Sequence, residues 1–197
     1  MESYQAEIAA AAARLIVEEG LDYGAAKRRA VKQLGAGGRG GLPDNQEVEA
    51  AVEEYIALFC ADTQPQELHA LRELALQWML RLERFQPHLG GAVWRGTATR
   101  TSDIYLQLFC EDSKAAEIAL IDMGVRFEVR SVPGFHGALV DALSVQERCA
   151  LLQENIGVHL LVYDLDDIRG ALQPDTRGRR PRGDAASLRR LMENAQP

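Results

Sequence analysis

The sequence predicts an α+β fold, a helical N-terminal half packed beside a small mixed β-sheet. Three observations carry that expectation. Apolar residues recur at helical spacing through the first 85 residues. After Pro87 the pattern switches to the two-residue alternation of half-buried strands. The strands follow the helices as a group, whereas a doubly wound sheet requires strict alternation of strand and helix.

Taken in order, Ile8, Leu15 and Ile16 share one helical face, and Gly20 is the stop. Asp22 is placed to cap a second helix through Val31 and Leu34, because its side chain accepts the free N–H groups of a first turn. Gly35, Gly37, Gly38, Gly40 and Gly41 lie too close together for an element interior, and Pro43 confirms a linker. This run has neither the Lys-Ser/Thr of a phosphate loop nor the preceding strand of a dinucleotide fingerprint. Asp44 caps a helix with Val48, Val52, Tyr55, Ile56 and Phe59 on its apolar side. Pro65 opens another that carries Leu68, Leu71, Leu74, Leu76, Trp78, Met79 and Leu82.

Beyond Pro87, Gly90-Gly91 leads into Ala92-Val93-Trp94, and past a polar turn Asp103 to Phe109 alternates as a strand. Ser113 to Met123 reads as a helix closed by Gly124, and Val125 to Val132 as a strand. A turn through Pro133–Gly137 returns the chain as a strand over Ala138–Val145. A fifth strand runs from Gly157 to Tyr163, a helix begins near Asp166, and Asp184 caps the last helix, Ala185 to Asn194. The expected regions are 1–42, a helical segment ending in the linker; 43–88, helical; 89–172, the α/β core; and 173–197, a basic tail with the final helix.

Composition narrows the class. With 197 residues, 47% hydrophobic and 26% charged, the chain is an ordinary globular protein. No apolar run approaches the roughly 18 residues of a membrane span. No basic segment precedes the alanine run near the start, so a signal peptide is not expected and cytoplasmic residence is. Cys60, Cys110 and Cys149 are far apart, which fits small buried side chains better than a disulfide framework or a zinc site. The net charge of -7 gives no strong nucleic-acid signal. Two basic clusters stand out against it, Lys27-Arg28-Arg29 with Lys32, and the tail, where seven arginines between Arg169 and Arg190 face Asp175 and Asp184. The tail reads first as a connector to the last helix and second as an arm whose guanidinium groups meet a polyanion.

The segment from Gly91 to Leu106 carries the chemistry. Its Gly91, Arg95, Gly96, Ser102 and Asp103 resemble the signature of the nucleotidyltransferase (DNA polymerase beta-like) superfamily, a glycine-serine pair, an Arg-Gly, then Ser-Asp-x-Asp on a strand. Asp141, within Leu139-Val140-Asp141-Ala142-Leu143, resembles the third carboxylate of a later strand. Physically, carboxylates at i and i+2 project from one strand face and can share divalent ions with nucleotide phosphates. The match is incomplete. Ala92 stands where the serine is expected, although Gly90-Gly91 offers another glycine pair, and Tyr105 replaces the second aspartate. A neutral phenol is a poor magnesium ligand, and Glu128 is the candidate substitute.

The resemblance spans Gly90 to Leu172 and implies a divergent bacterial member of the superfamily. It implies transfer of a nucleoside monophosphate from a nucleoside triphosphate to a small-molecule or protein acceptor. Asp103 and Asp141 would hold magnesium, Gly91 and Gly96 would shape the phosphate loop, and Arg95 and Ser102 would touch phosphate. Both carboxylates are expected on neighbouring strands, pointing the same way. The alternative is a catalytically inactive binding or interaction module, and Tyr105 is its signature.

Bland readings stand beside these: Asp103 as a turn residue, Asp141 as an exposed strand residue, and Asp164, Asp166 and Asp167 as strand-end and capping residues. Trp94 reads as core or as a base-stacking ring. His69, His88, His136 and His159 show no metal-ligand spacing, and no serine, cysteine or histidine arrangement suggests a nucleophile.

Overall fold

The computed structural model describes residues 2–35, 41–135, 137–175 and 178–194. The glycine-rich run from Ala36 to Gly40, read as a linker, lies outside the described residues, as do His136 and Arg177. The chain forms two units, Met1–Glu67 with Thr97–Ser102, and Leu68–Gly96 with Asp103–Pro197.

The first unit contains α1 (Glu2–Glu19), α2 (Tyr23–Gln33) and α3 (Asn45–Phe59). Local chemistry sets the starts of α2 and α3. Asp22 accepts the Ala25 N–H at 2.8 Å, and Asp44 forms a reciprocal capping box with Glu47. Ile8, Ala12, Ala13 and Leu15 of α1 are buried with Val48 and Val52 of α3. The small alanines let the helix axes approach closely. Tyr55 donates its hydroxyl to Glu18, and that hydrogen bond to a carboxylate pushes the phenol pKa up to about 12.

The Thr97–Ser102 segment completes this unit. The last carbonyls of a helix have no intrahelical donor, and Val17 is one of them. Thr99 and Thr101 supply the donors, their hydroxyls lying 3.3 and 2.9 Å from the Val17 carbonyl. Gln64 donates to the Ala98 carbonyl at 2.9 Å, and Glu67 accepts the Arg100 N–H at 3.0 Å.

In the second unit, α4 (Gln64–Arg81), which starts in the first, contributes buried Leu71, Trp78 and Met79. The strands are β1 (His88–Gly90), β2 (Ile104–Cys110), β3 (Glu128–Pro133), β4 (Leu139–Cys149) and β5 (Glu154–Asp164). Among them lie α5 (Gly91–Arg95) and α6 (Lys114–Asp122); α7 (Ile168–Ala171) and α8 (Ala185–Glu193) follow. The sheet order is β1-β2-β5-β4-β3, with β2 and β5 parallel and the other pairs antiparallel. The fold is α+β with a mixed sheet. No described helix is long and apolar enough to cross a membrane.

Alternation assigns the two sheet faces. Ile104, Leu106 and Leu108 of β2, Val158, Leu160 and Val162 of β5, and Leu143 and Val145 of β4 are all buried on one face. On this face Arg81 of α4 lies 3.5 Å from Glu147 of β4. The other face carries Tyr105, Gln107 and Phe109, with His159, Leu161 and Tyr163 beside them. Its far end is closed by Phe109, Tyr163 and Ala171, and its near end is open.

The structure corrects two sequence expectations. Ala92-Val93-Trp94, which the count of five strands takes as the first, lies in the short helix α5, and the strand before it is His88–Gly90. Asp103 and Asp141 are not on neighbouring strands, because β5 returns between β2 and β4.

After α7 the tail comes back to the edge of β1. Leu89 and Gly183 exchange both backbone hydrogen bonds, at 2.8 and 3.0 Å, and the Trp94 indole donates to the Arg180 carbonyl at 2.8 Å. Nearby, burial pushes the His88 imidazole below its ordinary 6.5, opposed by the Asp184 charge and reinforced by Arg182. Folded His88 therefore stays neutral at a pH where the unfolded chain takes up a proton. Its stability contribution is full above about pH 6.5 and is lost as the pH falls through that range. The Tm of this unit is expected to fall as the pH drops below about 6.5. His88→Gln should flatten that slope; an unchanged slope would show that other groups set it. Asp184, held below its usual range by hydrogen bonds from Ser187, adds loss only in more acid solution.

Candidate functional site

Strand register builds the site. Gly90 on β1, Tyr105 on β2, His159 on β5, Ser144 on β4 and Glu128 on β3 are successive cross-strand partners, one residue from each strand. They form a row across the open end of the sheet face. The Tyr105 and His159 rings stack with centroids 4.8 Å apart and planes 28° apart, and Tyr105 is 41% exposed. Gly91, with φ +69°, lies against the Tyr105 ring, where an added Cβ would stand 3.6 Å from it. Only glycine adopts that backbone without strain.

Asp103, immediately before β2, leans onto this row. Its carboxylate accepts the Gly157 N–H at 3.1 Å and lies 3.0 Å from His159 Nε2. A carboxylate only accepts, so Nε2 is the donor, and in the neutral imidazole Nδ1 accepts the Ser144 hydroxyl at 2.9 Å. The resulting Ser144–His159–Asp103 chain joins β4, β5 and β2 and can pass a proton along its length. No such arrangement is expected from the sequence. The available signal was a polar residue flanked on both sides by apolar ones, Ser144 between Leu143 and Val145 and His159 between Val158 and Leu160.

The other expected site residues fall in several places. Asp103 lies opposite Gly157, which pairs with Gln146 on β4, and Asp141 stands five residues from Gln146. That separation is roughly 15–20 Å at ordinary strand spacings. Five is odd, so Asp141 also points to the opposite face, where its nearest cation is Lys114 at 4.0 Å. Glu128 shares the face of Asp103, and its carboxylate pairs with Arg130 at 3.1 Å. Arg95 and Gly96 end α5, while Ser102 belongs to the first unit and accepts the Thr99 N–H at 3.0 Å. Buried Arg72 of α4 holds α5 by donating to the Val93 carbonyl at 3.1 Å and the Trp94 carbonyl at 3.4 Å, and burial pushes its pKa down.

These residues do not fit the magnesium that the motif implies. Asp103 is committed to Gly157 and His159, a phenol stands at the second carboxylate position, and Asp141 is on the other face. Among the described residues no cluster of three or more histidine, cysteine, aspartate or glutamate side chains has the geometry to hold a metal.

The chain matches no described protein family, and no curated protein is detectably similar to it. Solved structures give distant likenesses. Cid1 in complex with the UTP analogue UMPNPP is 15% identical over 56% of this chain and 36% of its own, with a TM-score of 0.36. The MgGTP-bound Cid1 poly(U) polymerase is 14% identical over 51% of this chain and 32% of its own, with a TM-score of 0.34. A cytoplasmic RNA terminal U-transferase is 17% identical over 54% of this chain and 36% of its own, with a TM-score of 0.35. This chain therefore spans about a third of the length of each. Likenesses this distant decide nothing about substrate or activity.

Proposed function

We propose that this chain is a nucleotidyltransferase-like binding module that takes a nucleotide on its open sheet face without a metal cage. The observation that carries this reading is the commitment of Asp103 to Gly157 and His159 beside an exposed Tyr105. A flat ring on an open sheet is a stacking surface for a base, and the Ser144–His159 edge offers polar partners to a sugar or phosphate. Metal-dependent transfer, the other reading of the motif, needs carboxylates converging on one point, and here they diverge.

Titration calorimetry with ATP, GTP, CTP and UTP, with magnesium and with chelator, tests this. Affinity is expected to agree within about threefold with and without metal, since one engaged carboxylate holds magnesium weakly. Tyr105→Ala should weaken binding about tenfold, the scale of one base–aromatic stack. No affinity for any of the four would sink the proposal. Binding that tightens more than about tenfold with magnesium, with pyrophosphate released on adding an acceptor, would establish transfer instead.

A further inference from the structure

The basic tail, which the nucleotide face does not use, encloses a cavity of about 280 Å³ against β1. Its polar lining is His88, Arg180, Arg182, Asp184 and Ser187, with Leu172 as an apolar wall. The tail is held by its backbone pairing to Leu89 and by the Trp94 indole, so the cavity is a built feature of the fold.

The charges around it do not balance locally. Arg182 lies over the Phe135 ring, 5.0 Å from its centroid, and its Nε is buried with no hydrogen-bond partner among the described residues. No carboxylate is within ion-pair distance of Arg182 among those residues. Asp184 is engaged at the start of α8, where it accepts the Ser187 N–H at 2.8 Å, and Arg179 is engaged with Asp175 at 3.3 Å. A guanidinium half-withdrawn from water and left without a counter-charge is costly in proportion to its burial. Arginine also presents a planar fork of donors that matches a phosphoryl group. The Ser187 side chain is already engaged, accepting from Arg190 at 3.0 Å and hydrogen-bonded to Asp184, so the donors left for an oxyanion are the guanidinium groups.

We infer that this cavity is an oxyanion site that binds a phosphoryl group, anchored by Arg182 and completed by Arg180. It stands independently of the nucleotide reading, because none of its residues belongs to the Tyr105–His159 row. The space is larger than a phosphate ion needs, so a small organic body can accompany the phosphoryl group.

The test is calorimetric titration of the full chain with inorganic phosphate and with glycerol 3-phosphate, at constant ionic strength maintained with chloride. Saturable binding of at least one is expected. Tighter glycerol 3-phosphate identifies a monoester as the occupant, and inorganic phosphate binding as well or better identifies the free ion. Arg182→Gln should weaken affinity at least tenfold, with Arg182→Lys between it and the parent. Arg189→Gln, which removes the same charge from an exposed position on α8, should leave affinity within twofold. Failure of the unaltered chain to bind either probe overturns the inference, whatever the folding of the variants. Equal losses in Arg182→Gln and Arg189→Gln also overturn it, because they would report only net charge.

Discussion

Gly183→Ala is expected to detach the tail from the sheet and to lower the Tm of the second unit by about 6–12 °C. A Cβ at Gly183 would fall 2.2 Å from one atom of the Trp94 ring and 2.5 Å from the next, where ordinary contact begins at 3.4 Å. The ring has little room to retreat, since its Nε1 is bonded to the Arg180 carbonyl of the same tail. Relief therefore means losing that bond and the two between Leu89 and Gly183. Those losses amount to about 3 kcal/mol, and each kcal/mol moves the Tm of a chain this size by about 2–4 °C. The chain has two tryptophans, Trp78 and Trp94, and both lie in the second unit, so their emission follows that unit alone. Trp94 should shift to the red while buried Trp78 does not. A Tm within about 2 °C of the parent would show that the tail is not fastened as described.

Gly157→Ala is expected to cost about 2 kcal/mol and to disturb the nucleotide face as well. The added methyl would stand 2.7–2.8 Å from all three atoms of the Asp103 carboxyl group. Asp103 is partly exposed, so it can swing into water, but only by giving up both the Gly157 N–H and His159 Nε2. Two hydrogen bonds to a charged acceptor in a half-wet site account for that figure. Once Asp103 leaves, His159 is no longer held edge-on, and its stack with Tyr105 loosens. Nucleotide affinity should fall about tenfold if the base sits there. A double-mutant cycle isolates the cause. In an Asp103→Ala background the methyl has nothing to displace, so Gly157→Ala should cost less than about 0.5 kcal/mol. Equal costs in the two backgrounds would place the strain elsewhere.

The features legible from sequence were the local ones. Asp22, Asp44 and Asp184 cap helices because an aspartate three residues before a free N–H is sufficient cause, whatever the rest of the chain does. The alternation of Ile104-Tyr105-Leu106 and of Val158-His159-Leu160 fixed strands and their faces separately. What no single strand contains is its neighbour. Whether β4 or β5 lies beside β2 depends on long-range pairing: the insertion of β5 set Asp141 two strands away from Asp103, and the register of β4 on β5 put it on the other face. For the same reason Ser144 and His159, unremarkable singly, became a connected chain only when register placed them side by side. Ala92-Val93-Trp94 misled in the opposite direction, since three apolar residues are too few to show a period, and the positive φ of Gly91 and Gly96 at either end decided for a helical turn.

The return of Thr97–Ser102 to the helical unit sets a rule for cutting the gene. A fragment ending at Glu67 would carry α1, α2 and α3 but leave the Val17 carbonyl without its two threonine donors and Gln64 without the Ala98 carbonyl. One ending at Ser102 would regain those partners, yet it would also bring α4, β1 and α5, torn from the sheet that buries them. No single break in the chain yields two self-sufficient pieces. Mapping any activity to one of the two units should therefore be done with point substitutions, because a single cut that removes one unit also takes part of the other.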